Sequence, residues 1–163
     1  MLFYSVDFGR RGAGMRPGST FQSMNTKKNE QEMKKINPVT CAADVLRAVE
    51  RFISAEHPLG VLICDGKNRP ESVFTLPDNG CTLKENVMAR LNITGVRGDE
   101  SVALVIITQE EDPSEDIESV AVEAGELKTA ADVLGVSLLD IVITNGKTYF
   151  SFADKSRRPV PEE

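Results

Sequence analysis

Residues 101–116 read S-V-A-L-V-I-I-T-Q-E-E-D-P-S-E-D, and the reading of this stretch decides the fold. Val102 to Ile107 form an unbroken apolar run rich in β-branched side chains. Such a run suits a strand covered on both faces, because neither face is left for water. It stops abruptly at Thr108-Gln-Glu-Glu-Asp112, and from Pro113 and Ser114 a helical pattern opens at once. In open α/β folds the turn from a strand end into a helix is where ligands and chemistry usually sit. This turn carries three adjacent carboxylates, Glu110, Glu111 and Asp112, and neither histidine nor cysteine.

The flanks supply the partners of that strand. Upstream, Val45, Leu46, Val49, Phe52 and Ile53 fall at helical spacing, which predicts a helix over 40–54 after Pro38, capped by Thr40. A hairpin follows: Leu59–Cys64, a turn at Asp65-Gly-Lys-Asn68, and a return through Ser72–Leu76, with Pro70 marking an edge or a bulge. Thr82-Leu-Lys-Glu85 is a capping box that opens a second helix, ending near Gly95 or Gly98. Downstream, a long helix is predicted over 114–134, with Ile117, Val120, Ala121, Ala124, Leu127 and Ala131 inward and Gly135 after its end. A last hairpin runs through Leu138–Thr144, Asn145-Gly146 and Thr148–Phe152. The order helix, hairpin, helix, strand, helix, hairpin is that of a mixed α/β sheet with helices against it.

The 163 residues fit one domain with tails. Residues 1–37 are rich in glycine, lysine and polar groups and read as a flexible basic tail, within which Leu2, Tyr4 and Val6 alternate as a short strand would. Residues 155–163, polar and holding two prolines, read as a loose C-terminal tail. Charge is uneven. Residues 1–38 hold seven Lys and Arg against three acids, a net +4, and the total of −6 leaves −10 on the remainder. An acidic body is unsuited to gripping phosphate backbones, so direct nucleic-acid binding is not expected. No apolar run is long enough to span a membrane and no leader pattern opens the chain, which points to a cytoplasmic protein. Cys41, Cys64 and Cys81 are odd in number and widely spaced, and read as reduced thiols buried in the core.

The run E-A-G-E-L-K-T-A-A-D-V-L-G-V-S-L-L-D-I-V-I-T-N-G-K-T-Y-F-S-F-A-D, residues 123–154, resembles a helix, an "LLDH" strand and a "YYSF" strand of the RadC-like JAB domain family. The resemblance covers about residues 38–154 and implies the JAB/MPN fold, a cytidine-deaminase-like mixed sheet flanked by helices. Gly80 opens the family's central segment, Val87-Met-Ala-Arg90 lies at its Val-His-Pro-Arg element, and Thr108-Gln-Glu110 falls where His-x-His belongs.

That family binds a catalytic zinc through two histidines and an aspartate, with an upstream glutamate acting on the metal-bound water. The logic is three protein ligands, one open position and a nearby base. Here Thr108 and Glu110 stand in the histidine positions, and Ser114 and Asp116 resemble the family's serine and aspartate at altered spacing. The glutamate aligns with His57, or with Glu56 if a one-residue bulge is allowed, and the "LLDH" histidine is Ile141. The resemblance therefore implies a degenerate member with no metal, no other cofactor and no assigned catalytic residue. It would act as a protein-interaction or regulatory module, toward a protein partner or a second copy of the chain. Two other readings stay open. Glu110, Asp116 and Glu56 or His57 would form a rebuilt carboxylate site in a divalent-metal hydrolase. The acidic body would alternatively act as a decoy for DNA-handling proteins.

Overall fold

A computed structural model of the chain describes residues 37–94 and 99–161. The expected basic tail, residues 1–37, and its short strand lie outside the described residues, apart from Asn37. Helix α1 spans Ala42–Val49. Strands β1, Leu59–Cys64, and β2, Pro70–Leu76, form the first hairpin. Helix α2 spans Leu83–Thr94 and leads to β3, Ser101–Ile107. A 3-10 turn, Pro113–Asp116, opens helix α3, Ile117–Leu134. Strands β4, Ser137–Thr144, β5, Thr148–Ser151, and β6, Ser156–Pro159, follow.

The six strands make one mixed sheet in the order β2-β1-β3-β4-β5-β6. β3 is central, as its apolar run requires: it pairs antiparallel with β1 and parallel with β4. Alternation along the strands sorts side chains between two cores. Leu62, Cys64, Ala103 and Val105 face α1, where Val45, Leu46 and Val49 close the first core. Val61, Ile63, Val102 and Leu104 face the opposite side, where Leu83, Val87 and Leu91 of α2 and Leu127 and Ala131 of α3 close the second. The sheet is thus a filled layer between helices, and burying each large side chain such as Leu62 or Leu104 contributes about 1.5–3 kcal/mol. Gly60 sets how near α1 can come. A Cβ there would lie 2.3 Å from Val49 Cγ1 and 2.7 Å from Ile53 Cγ2, so alanine would push the helix off the sheet at a cost of about 1–3 kcal/mol.

Several expectations change. The first helix stops at Val49; Phe52 and Ile53 still pack on the first core, but from the turn that follows. Thr40 is not its cap. Cys41 takes that position, and the Thr40 amide and hydroxyl instead donate to Asp44 Oδ2 at 2.9 and 2.8 Å. Ala121 is exposed, because it lies on the flank of the stripe formed by Ile117, Val120, Ala124, Leu127 and Ala131. Only Cys64 is buried. Cys41 and Cys81 are exposed, since each sits in the chain just ahead of a helix and not within a strand. The tail expected at 155–163 contains β6, paired antiparallel with β5 from Ser151↔Ser156 to Thr148↔Pro159. Its Arg-rich sequence hides an edge strand: apart from half-buried Ser156 its side chains are exposed, and backbone pairing with β5 makes it. Other expectations hold: the capping box closes with Thr82 N–H to Glu85 Oε2 at 3.0 Å and Glu85 N–H to Thr82 Oγ1 at 3.2 Å. The bulge expected near Pro70 lies where the register shifts between Ile63 and Cys64. Among the described residues, no helix is long and apolar enough to cross a membrane.

Candidate functional site

The acidic turn leaves the carboxyl end of β3 between the carboxyl end of parallel β4 and the start of antiparallel β1. Thr108 N–H donates to Thr144 O at 2.9 Å, one last rung beside β4. The Thr108 hydroxyl then accepts from Glu110 N–H at 3.1 Å, which folds the chain away from the sheet. The β4–β5 turn grips the result: Asn145 Nδ2 donates to Glu111 O at 2.6 Å and to Glu110 O at 3.4 Å. Asn145 can reach because its own Oδ1 orders the turn, accepting from the amides of Lys147 and Thr148 at 2.9 Å each.

Asp112 ends the turn. It precedes Pro113, and its Oδ1 accepts from both the amide and the hydroxyl of Ser114, at 2.9 and 2.7 Å. Asp-Pro-Ser is an N-cap followed by proline at the first helical position, a local signal that marks Asp112 as the cap. Its other oxygen pairs with Arg157 of β6. The bonds from Ser114, with the Arg157 charge beside them, hold the Asp112 carboxyl below its ordinary 3.8.

The upstream candidates reach the same end of the sheet through the backbone. Ile107 N–H donates to Pro58 O at 2.8 Å, so Glu56 and His57 lie where β1 begins and β3 ends. Both are exposed. The His57 amide donates to Ser54 O at 3.1 Å, and the Ser54 amide donates back to His57 O at 3.1 Å, which makes this segment a tight turn. Thr108 is buried at 9 % exposure, Glu110 is exposed, and Ser114 is committed to Asp112. Asp116 follows in the 3-10 turn, and its side chain lies outside the described residues. Ile141, at the "LLDH" histidine position, is 2 % exposed inside the second core. Arg90 lays its guanidinium 5.6 Å from the Phe74 ring centre.

Two of these positions are already engaged in the fold. Thr108 supplies a neutral hydroxyl that already closes a turn, and Ser114 faces the cap. Among the described residues, no three His, Cys, Asp or Glu side chains stand together in a way that could hold an ion. Nor is there a ready thiol nucleophile at Cys64. Burial, helped by the charge of Asp65, pushes that thiol up to about 12, so it stays protonated at neutral pH.

What the turn does present is an open basin of about 570 Å³, lined by Thr108, Gln109, Glu110, Glu111, Asn145 and Lys147. On the other side of Ile107, a cavity of about 260 Å³ opens between the sheet end and the starts of α2 and α3. Its walls are largely apolar, with Leu59, Leu83, Ile106 and Val120, and Cys81 and Glu123 stand in its rim. Glu123 Oε2 accepts Leu83 N–H at 2.6 Å, which satisfies the first turn of α2 from a helix 40 residues away.

Asp140 was not marked as a site by its sequence context. It is 8 % exposed, and accepts from Ile141 N–H at 2.7 Å, Ser151 Oγ–H at 2.7 Å and Ala153 N–H at 2.9 Å. Burial nonetheless raises its carboxyl above the ordinary value, against those three bonds. It ties β4 to β5 and to the turn before β6, a structural role. The chain matches no protein-family model, and no curated protein matches it significantly in sequence.

Proposed function

We propose that this chain is a degenerate RadC-like JAB domain that works by binding another protein and not by hydrolysis. The coarse support is the element order and the mixed sheet, with the family's Thr108-Gln-Glu110 and Glu56-His57 positions at one sheet end. The observation that carries the reading is the use made of the ligand positions. The Thr108 hydroxyl, Ser114 and the neighbouring Asp112 are spent on turn and cap hydrogen bonds. A zinc site needs those directions free and convergent. Holding Glu110 and Glu111 outward on a backbone braced by Asn145 presents two carboxylates with little ordering left to do, which favours recognition of a basic partner surface.

The reading has two separable tests. Elemental analysis and zinc and manganese titration of the purified chain are expected to find no stoichiometric metal, and peptide, isopeptide and phosphodiester substrates are expected to stay intact. One zinc per chain, with hydrolysis lost in Glu110→Ala, overturns the reading in favour of a metal hydrolase. For binding, a photo-crosslinker placed at Gln109 is expected to capture a discrete protein whose yield falls in Glu110→Lys/Glu111→Lys. Equal yield with and without that charge reversal means the turn is not the binding surface.

A further inference from the structure

The apolar run of β3 is not covered to its end. Ser101 to Val105 are buried, but Ile106 and Ile107 are only half-buried. Both line the cavity of about 260 Å³ at this end of the sheet, together with Leu59, Leu83 and Val120. The cavity walls are tied in place. Leu59 pairs with Ile106 across β1 and β3, which fixes the sheet side. The 2.6 Å bond from Leu83 N–H to Glu123 Oε2 pins the start of α2 to α3. The chain entering α2 is locked onto that helix: Asn79 Nδ2 donates to Asn86 Oδ1 at 3.0 Å, and Cys81 N–H donates to Asn79 Oδ1 at 3.0 Å. A cavity braced in this way needs little further ordering to hold a ligand.

Size limits what can enter. An apolar cavity of about 150 Å³ already holds benzene, so this one takes a ring or a branched chain with a short arm, roughly ten non-hydrogen atoms.

Charge limits it further, and is one-sided. Asp78 and Glu123 stand in the lining, and among the described residues that form it there is no Lys, Arg or His. The Leu83 amide is already engaged with Glu123, so it offers an anion nothing. Asp78 is held at the rim by Gly80 N–H, which donates to its Oδ1 at 3.3 Å. Glu123 is half-buried, and its second oxygen has no hydrogen-bond partner among the described residues. A carboxylate or phosphate entering here would meet two like charges. An ammonium would be attracted, and beside apolar walls that attraction is screened less than in open water.

We propose that this cavity binds a small organic ammonium ion with an apolar body, its charge against Glu123 and its body against Leu59, Leu83, Ile106 and Val120. Asp78 at the rim adds to the negative field and excludes anions of the same shape. The proposal stands apart from the family reading, since it uses neither the acidic turn nor any metal.

The test is a titration of the methyl-labelled full chain with 2-phenylethylamine, followed by NMR. Saturable shifts are expected at the methyls of Leu59, Leu83, Ile106 and Val120. 2-Phenylethanol, uncharged and of the same size, is expected to bind on the order of tenfold more weakly, and 3-phenylpropionate more weakly again. Glu123→Gln keeps an acceptor for Leu83 N–H. It is expected to bring the amine down to the affinity of the alcohol and to leave the alcohol unchanged. The absence of saturable shifts at these methyls overturns the cavity as a site. Equal binding of amine and alcohol, or of the amine to wild type and Glu123→Gln, overturns the ammonium assignment. Shifts at the same methyls that follow chain concentration without any amine would assign the cavity to a second copy and overturn the small-molecule ligand.

Discussion

Asp112 and Glu71 are both surface carboxylates of an acidic domain, one near each end of the sheet, and their surroundings push them in opposite directions. Asp112 accepts from the Ser114 amide and hydroxyl and pairs with Arg157, and its carboxyl titrates low. Glu71 faces Glu100, Asp65 and Asp99, and its carboxyl titrates high. The first charge is needed by the fold and the second is tolerated by it. Net charge cannot distinguish the two, because what matters is which donors or acceptors a carboxylate meets. Asp140 combines both influences inside the protein: three donors satisfy it, while burial works against its charge.

The comparison can be broken most severely at Asp140. In Asp140→Ala the amides of Ile141 and Ala153 and the Ser151 hydroxyl lose their acceptor, and chemical denaturation is expected to show a loss of about 2–4 kcal/mol. Asp140→Asn keeps an acceptor and should lose visibly less; equal losses would show that the charge, not the hydrogen bonds, matters here.

At Asp112 the effect is smaller and depends on pH. Its folded value is lowered, so its contribution is present above the ordinary 3.8 and is lost as pH falls through the lower folded value. Asp112→Asn is therefore expected to melt several degrees below wild type at pH 7, with the gap closing in acid. A gap that persists unchanged below that window would mean that the cap, and not the charge, carries the effect.

Asn145→Ala removes the grip on the acidic turn. A stability loss of about 1 kcal/mol is expected, together with faster amide exchange confined to residues 108–112. Exchange that spreads into α3 would show that the turn and the helix open as one unit.

Glu71→Gln gives the smallest change and the opposite sign. Its folded value is raised, so its charged form disfavours folding once pH rises through that value. The variant should gain about 0.5 kcal/mol at pH 7 after solvent screening, and nothing below the ordinary 4.5. A loss at pH 7 would mean that Glu71 meets a cation in the folded protein.

The sequence by itself determined the element order and the central strand. Apolar runs, the Thr82/Glu85 box and the Asn145-Gly146 turn act over a few residues, and their physics is complete within that span. It also marked the turn after β3, where the apolar run gives way to three carboxylates and a helix start. The cap at Asp112 was not among these expectations, which opened the helix at Ser114, although Asp-Pro-Ser carries the local signal for it. Only the tertiary structure decided that Arg157 meets Asp112 across 45 residues, that Asn145 holds Glu110 and Glu111, and that Asp140 is buried. The same is true of β6, which becomes a strand because β5 offers it an edge. These features depend on which distant groups the packed sheet brings within hydrogen-bond reach, and local patterning along the chain carries no record of that.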